Sequence, residues 1–140
     1  MLGGAGDDAL RGDAGADVLR GDAGQDLLIG GPGADHLTGG ADADTFAFAS
    51  VAETGIGAQR DQILDFEQGL DVINLAALVP SSFTFCGTSS FSAARGPELR
   101  LFETPSDSAI VQLDRDGDGT IDEEIRVAAV TGLTAGDFVL

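Results

Sequence analysis

Aspartate recurs every nine residues near the start of this sequence, at Asp8, Asp17, Asp26, Asp35 and Asp44. Two positions after each stands a large apolar residue: Leu10, Leu19, Leu28, Leu37 and Phe46. Five positions before each stands glycine: Gly3, Gly12, Gly21, Gly30 and Gly39. A carboxylate on a short side chain is a hard oxygen donor, and glycine-rich turns expose backbone carbonyls. Both suit a cation such as Ca²⁺, which takes about six to eight oxygens. Catalytic chemistry finds little support. The single histidine, His36, falls on an outward position without a nucleophile near it in sequence, and reads as solvated surface. Paired carboxylates can run glycoside hydrolysis, but stacking and metal already account for the spacing seen here.

Composition points the same way. The chain carries 24 acidic and 7 basic residues, a formal charge of −17. Eighteen of the acids are Asp and six are Glu, a bias that general solubility does not require. All seven basic residues are Arg and are scattered along the chain, which suggests no basic groove. This charge disfavours nucleic acid and anionic membranes as partners and favours cations or a basic surface. One cysteine, Cys86, excludes an internal disulfide and reads as a small core residue within FTFCGT. No apolar run approaches the roughly 18 residues of a membrane span. MLGGAGDD lacks the features of a secretory signal peptide.

The nonapeptides predict their own architecture. Six glycine-rich residues make a turn and three make a short strand whose middle side chain faces inward. Two units then complete one coil of a flattened solenoid. Leu10, Leu28 and Phe46 stack on one side and Leu19 and Leu37 on the other, with units n and n+2 roughly 4.8 Å apart. Asp8, Asp26 and Asp44 line one edge, and Asp17 and Asp35 the other. Carboxylates this close repel one another, and a divalent ion between them reverses the sign of that interaction. Five apolar side chains are too few to offset the ordering of 45 glycine-rich residues. The segment is therefore expected to be largely disordered without metal and to fold when the ion binds.

These units resemble the RTX (hemolysin-type) calcium-binding nonapeptide G-G-x-G-x-D-x-U-x. The resemblance implies three ions in the roll. The first would be held by the carbonyls of Gly4 and Gly6 with Asp8, and by the carbonyls of Gly21 and Ala23 with Asp26. The second takes Asp13, Gly15 and Asp17 with Gly30, Pro32 and Asp35. The third takes Asp22, Gly24 and Asp26 with Gly39, Ala41 and Asp44. Asp13 and Asp22 replace the glycine of position two, where only the carbonyl is required. Asp42 replaces the glycine of position four, which suggests that the roll ends there.

From residue 48 onward glycine thins out and β-type runs take over: DQILDF, DVINLAAL, SFTF, ELRLFE, AIVQLD and EIRVAAV. The expected fold is all-β, with a parallel β-roll over residues 1–47 and an antiparallel, sandwich-like cap over 48–140. Only Leu75 to Val79 and Thr134 to Phe138 read as helical turns. GADADTFAF, RDQILDFEQGLDVINLAAL, FCGTSSFS, the DRDGDG loop and the final GLTAGDFVL resemble in series the C-terminal domain of serralysin-type metalloproteases. The loop places Asp114, Asp116, Asp118 and Asp122 like an EF-hand, but Ile125 stands where its glutamate belongs and the flanks read as strands. It reads either as a further Ca²⁺ loop or as a solvated acidic hairpin. Asp61, Asp65 and Asp71 read either as ligands for an ion at the end of the roll or as caps of strands and turns.

The resemblance implies a non-catalytic, Ca²⁺-folded module of a secreted bacterial exoprotein, since one histidine cannot supply the H-E-x-x-H zinc motif. It further implies extracellular localisation and export by type I secretion machinery. The signal would lie uncleaved near Asp137, Phe138, Val139 and Leu140, residues that also suit an ordinary final strand. The chain is expected to be monomeric. The alternatives are a carbohydrate-associated repeat module, as in alginate-modifying enzymes, and an adhesin or biofilm matrix element.

Overall fold

The nonapeptide period appears directly in the strand register. The computed structural model describes residues 1–53, 55–93 and 96–140. Six strands arise from the repeats: β1 (Leu2–Ala5), β2 (Ala9–Arg11), β3 (Val18–Ala23), β4 (Leu27–Ile29), β5 (His36–Ala41) and β6 (Thr45–Ala47). Odd-numbered strands pair in parallel on one side of the coil, β1–β3–β5, and even-numbered strands on the other, β2–β4–β6. Leu10, Leu28 and Phe46 stand in register on one sheet and Leu19 faces Leu37 on the other. All five are buried, which places the core between the sheets.

Parallel stacking continues beyond the point where Asp42 suggested an end. β7 (Asp61–Ile63) pairs in parallel with β5, and β8 (Val72–Asn74) pairs in parallel with β6. Ile63 falls in register with Leu37 and Ile73 with Phe46, so both apolar stacks gain a layer. The cause is legible in retrospect. Asp61-Gln62-Ile63 and Asp71-Val72-Ile73 repeat the D-x-U half of the nonapeptide without its glycine half. The connecting turns differ in length, but the stacking unit survives.

The remaining strands are β9 (Thr84–Phe85), β10 (Glu98–Thr104), β11 (Ser108–Asp114), β12 (Glu123–Val127) and β13 (Phe138–Val139). Among the described residues only β10–β11–β12 pair antiparallel. β12 joins β7 in parallel, β9 joins β10 in parallel and β13 joins β8 in parallel. The expected antiparallel cap is thus a mixed continuation of the roll's own sheets, ordered β1-β3-β5-β7-β12-β11-β10-β9 and β13-β8-β6-β4-β2. Strand alternation alone does not distinguish parallel from antiparallel neighbours when one face is buried. Short 3-10 turns occur at Gly57–Gln59 and Ala135–Asp137; Leu75–Val79 forms plain turns. Cys86 is half-buried past the end of β9, where a fully enclosed residue was expected.

Leu37 is fully buried between Leu19 and Ile63. Leu37→Ala should destabilise the folded protein by about 2–5 kcal/mol, read as a lower urea midpoint.

Candidate metal centre

Stacking fixes the orientation of every repeat aspartate. The Asp8 N–H donates to Asp26 Oδ1 (2.8 Å), Asp17 to Asp35 Oδ1 (2.8 Å) and Asp26 to Asp44 Oδ1 (2.9 Å). The ladders extend past the repeats: Asp35 donates to Asp61 Oδ1 (2.7 Å) and Asp44 to Asp71 Oδ1 (2.9 Å). One oxygen of each accepting carboxylate is thereby tied to the neighbouring coil. The second is not. Oδ2 of Asp17, Asp26, Asp35, Asp44 and Asp61 is buried and, among the described residues, has no hydrogen-bond partner. A buried carboxylate oxygen left unpaired is costly, and here five recur at equivalent positions.

The glycine of position one shows where those oxygens point. A methyl group on Gly21 would collide with Asp26 Oδ2 and lie 2.5 Å from the carbonyl oxygen of Gly39. One on Gly12 would lie 2.5 Å from the Gly30 carbonyl and 3.0 Å from Asp17 Oδ2, and one on Gly3 would lie 2.8 Å from both the Gly21 carbonyl and Asp8 Oδ2. Aspartate and the first carbonyl of the unit two later thus converge on one space. The second and fourth carbonyls approach the later coil closely as well: added methyl groups on Gly31 and Gly33 would overlap the carbonyls of Asp13 and Gly15, and on Gly40 that of Asp22. The third-position carbonyls of Ala23, Pro32 and Ala41 accept the N–H groups of Gly6, Gly15 and Gly24. Each retains a second lone pair. Asp13, Asp22 and Asp42 hold the left-handed conformation that their glycine counterparts favour (φ 64°, 83° and 78°). The set is all oxygen, anionic and lined by backbone carbonyls, which fits a hard divalent cation.

Asp65 and Asp71 use their oxygens differently from Asp61. Asp65 accepts the N–H groups of Gly39 and Gly40, one on each oxygen (2.9 Å both), and so braces the last repeat turn. Asp71 accepts the Asp44 N–H on Oδ1 and the Glu67 N–H on Oδ2 (2.8 Å). Glu53, absent from the sequence-based set, is buried, accepts the Ala49 N–H (2.7 Å) and adds a repulsive charge near Asp35 and Asp61. It lies outside any nonapeptide frame, so no spacing signal marks it.

In the hairpin loop, carboxylate oxygens of Asp114, Asp116 and Asp122 lie within 4.8 Å of one another. Asp114 accepts the N–H groups of Gly117 and Gly119 (2.7 Å each), and Asp122 that of Arg115 (2.8 Å). Asp118 stands apart: its Oδ1 accepts the Thr120 N–H and hydroxyl, and these bonds lower its pKa. At the C-terminus, Asp137 Oδ2 accepts the Thr134 N–H (2.7 Å), and Phe138 packs on Phe85 with ring centroids 5.9 Å apart. Leu140 packs partly buried against the core and Val139 is exposed.

A family model described as Peptidase M10 serralysin C terminal matches residues 1–140. The chain belongs to this family. Solved structures agree with the fold: the R3 subunit of the Azotobacter vinelandii mannuronan C5-epimerase AlgE6 is 31% identical, with a TM-score of 0.65 over 96% of this chain and 78% of that one. The R2 subunit of the same epimerase is 27% identical, with a TM-score of 0.63 over 99% of this chain and 91% of that one. No curated protein matches the chain. As an RTX-type repeat domain of the serralysin C-terminal family, it is a calcium-binding repeat module, distinct from that family's catalytic domain.

Burial pushes the Asp44 carboxyl up to about 6 and that of Asp61 up to about 7, and it raises Asp35 and Asp71 as well; neighbouring carboxylates add to each shift. A folded pKa above the unfolded one contributes stability that is complete below the unfolded value and is lost as pH rises through the folded value. In chelator, the β signal of the serralysin-type domain should therefore strengthen as pH falls from about 8 towards 5. Calcium affinity should weaken over the same window as protons compete. Circular dichroism and calcium titrations at several pH values check both trends.

Proposed function

We propose that this chain is the non-catalytic, Ca²⁺-folded C-terminal module of a secreted bacterial RTX exoprotein, of the serralysin-like metalloprotease kind. The supporting observation is the row of buried Oδ2 atoms without partners, aimed at spaces ringed by backbone carbonyls. Three ions occupy the roll. The first lies between Asp8 and Asp26, the second between Asp17 and Asp35 and the third between Asp26 and Asp44, with the carbonyls of positions two and four below and one and three above. Asp61 carries the same free oxygen at the end of its ladder and is assigned to a further ion, with Glu53 beside it. The roll proper takes residues 1–47, and residues 48–140 complete and close its sheets.

The mechanism is a switch. At low intracellular calcium the stacked carboxylates repel and the glycine-rich turns keep their entropy, so the chain stays open enough to thread through type I secretion machinery. Outside, calcium at about millimolar levels fills sites of about 10⁻⁴–10⁻³ M and folds the module. Asp137-Phe138-Val139-Leu140 forms the end of the export signal and docks afterwards as the closing strand of the second sheet. The folded module is monomeric.

Circular dichroism during a calcium titration tests this reading. The β signal should appear cooperatively with calcium at neutral pH and be largely absent in chelator; a full signal in chelator overturns the switch. Asp26 lies between two of the assigned ions, so Asp26→Asn should raise the calcium midpoint by about tenfold, equivalent to about 1.4 kcal/mol.

A further inference from the structure

Two arginines stand beside the assigned calcium sites, in a chain with only 7 basic residues and a charge of −17. Arg11 ends β2, and its Nε donates to Asp13 Oδ1 (2.9 Å). Arg20 lies in β3, and its Nε donates to Asp22 Oδ1. The same pair is thus built once on each sheet of the roll. Coulomb's law makes a guanidinium a poor neighbour for a bound cation. Stability does not account for the pairs either. Both arginine side chains are 59% exposed, and ion pairs so open to water contribute little.

What the pairs hold is backbone. Asp13 and Asp22 occupy position two of their units, where the carbonyl and not the side chain is assigned to calcium. Both are left-handed, at φ 64° and 83°, a conformation that costs a residue with a Cβ but not glycine. Their carbonyl oxygens approach the later coil so closely that a methyl group on Gly31 or Gly40 would lie 2.0 Å away. The other position-two residues are Gly4, Gly31 and Gly40, and two residues before them stand Leu2, Ile29 and Thr38. Arginine therefore accompanies aspartate in both units that have it and is absent wherever glycine serves. The position between the pair is closed to a side chain: a methyl group on Gly12 or Gly21 would lie 2.5 Å from the carbonyl oxygen of Gly30 or Gly39. Asp42 supplies the contrast. It is left-handed as well (φ 78°), but its carbonyl is not an assigned ligand, and glycine stands two residues before it.

We propose that Arg11 and Arg20 are positioning residues for calcium. Each ties an aspartate side chain to the strand before it and so holds that residue's carbonyl on the ion, Arg11 at the second site and Arg20 at the third. The inference rests on the calcium reading and adds to it two residues that touch no ion. Glycine reaches the same geometry without a tie but leaves the unfolded turn freer. An arginine–aspartate unit therefore exchanges some of that backbone entropy for an ion pair. The expected sign is opposite to that of simple charge. By Coulomb attraction alone, removing a cation near a calcium site strengthens binding, whereas removing a positioning residue weakens it.

The test is a calcium titration of the full chain at neutral pH, followed by circular dichroism and isothermal titration. Arg20→Gln should raise the calcium midpoint about threefold, and a chain carrying both Arg11→Gln and Arg20→Gln about tenfold, the scale of one and two exposed ion pairs. Saturating calcium should restore the β signal in each variant, which separates weakened binding from failure to fold. In an Asp22→Gly background, Arg20→Gln should no longer raise the midpoint, because glycine needs no tie. The carbonyl carbon NMR resonance of Asp22 in the calcium-saturated chain should move in Arg20→Gln, which loss of a merely structural surface pair would not cause. An unchanged or lowered midpoint in Arg20→Gln overturns the proposal. So does an equal rise in both backgrounds, or an Asp22 carbonyl resonance that stays in place. A wild-type chain that binds no calcium overturns the calcium reading and this proposal together, whereas a normal wild-type response beside an unaffected variant overturns this proposal alone.

Discussion

Carboxylates held one strand spacing apart are the constraint on which this molecule depends. Asp26, Asp35 and Asp44 are each clamped by the backbone N–H of the aspartate two units before, so their positions cannot relax without breaking a sheet. The clamp fixes one oxygen and leaves the other buried and unpaired. The apolar stack cannot drive this arrangement alone, because each nonapeptide contributes one large inward side chain. Repulsion, turn entropy and unpaired oxygens all oppose the metal-free fold, and a divalent cation between coils relieves the first and third at once. The proposed calcium dependence therefore follows from the stacking geometry itself.

Much of this was legible in the sequence. The nine-residue period gave the turn, the strand, both apolar stacks and both aspartate edges, because a glycine-rich turn followed by a three-residue strand with one inward side chain repeats as a two-sided coil. The later coil was harder to read. Asp61 and Asp71 keep the D-x-U pattern, but the glycines that advertise the turn are missing, and Asp42 reads as a terminator although its left-handed backbone lets the coil continue. Glu53 carries no periodic signal, and only the fold brings it near Asp35 and Asp61.

The three turn types divide the work of the acidic residues. Repeat aspartates leave an oxygen free, Asp65 and Asp71 satisfy backbone amides, and Asp114 closes a hairpin by accepting two amides of its own loop. Residue type alone does not separate these roles. The number of N–H groups that converge on each carboxylate separates those that keep an oxygen free from those that do not.

The position of β12 has a kinetic meaning. It pairs antiparallel with β11, through a hairpin of short reach, and in parallel with β7 of the solenoid. The β10–β11–β12 meander closes small loops, so its pairing carries a low entropic cost. It then presents a ready edge to β7, which in turn presents one to β5. If the meander forms first, coil addition would run backwards along the chain, from the C-terminal meander towards residue 1. A chain that leaves a cell C-terminus first would meet calcium with its template already outside, and its repeats would add in the order in which they emerge.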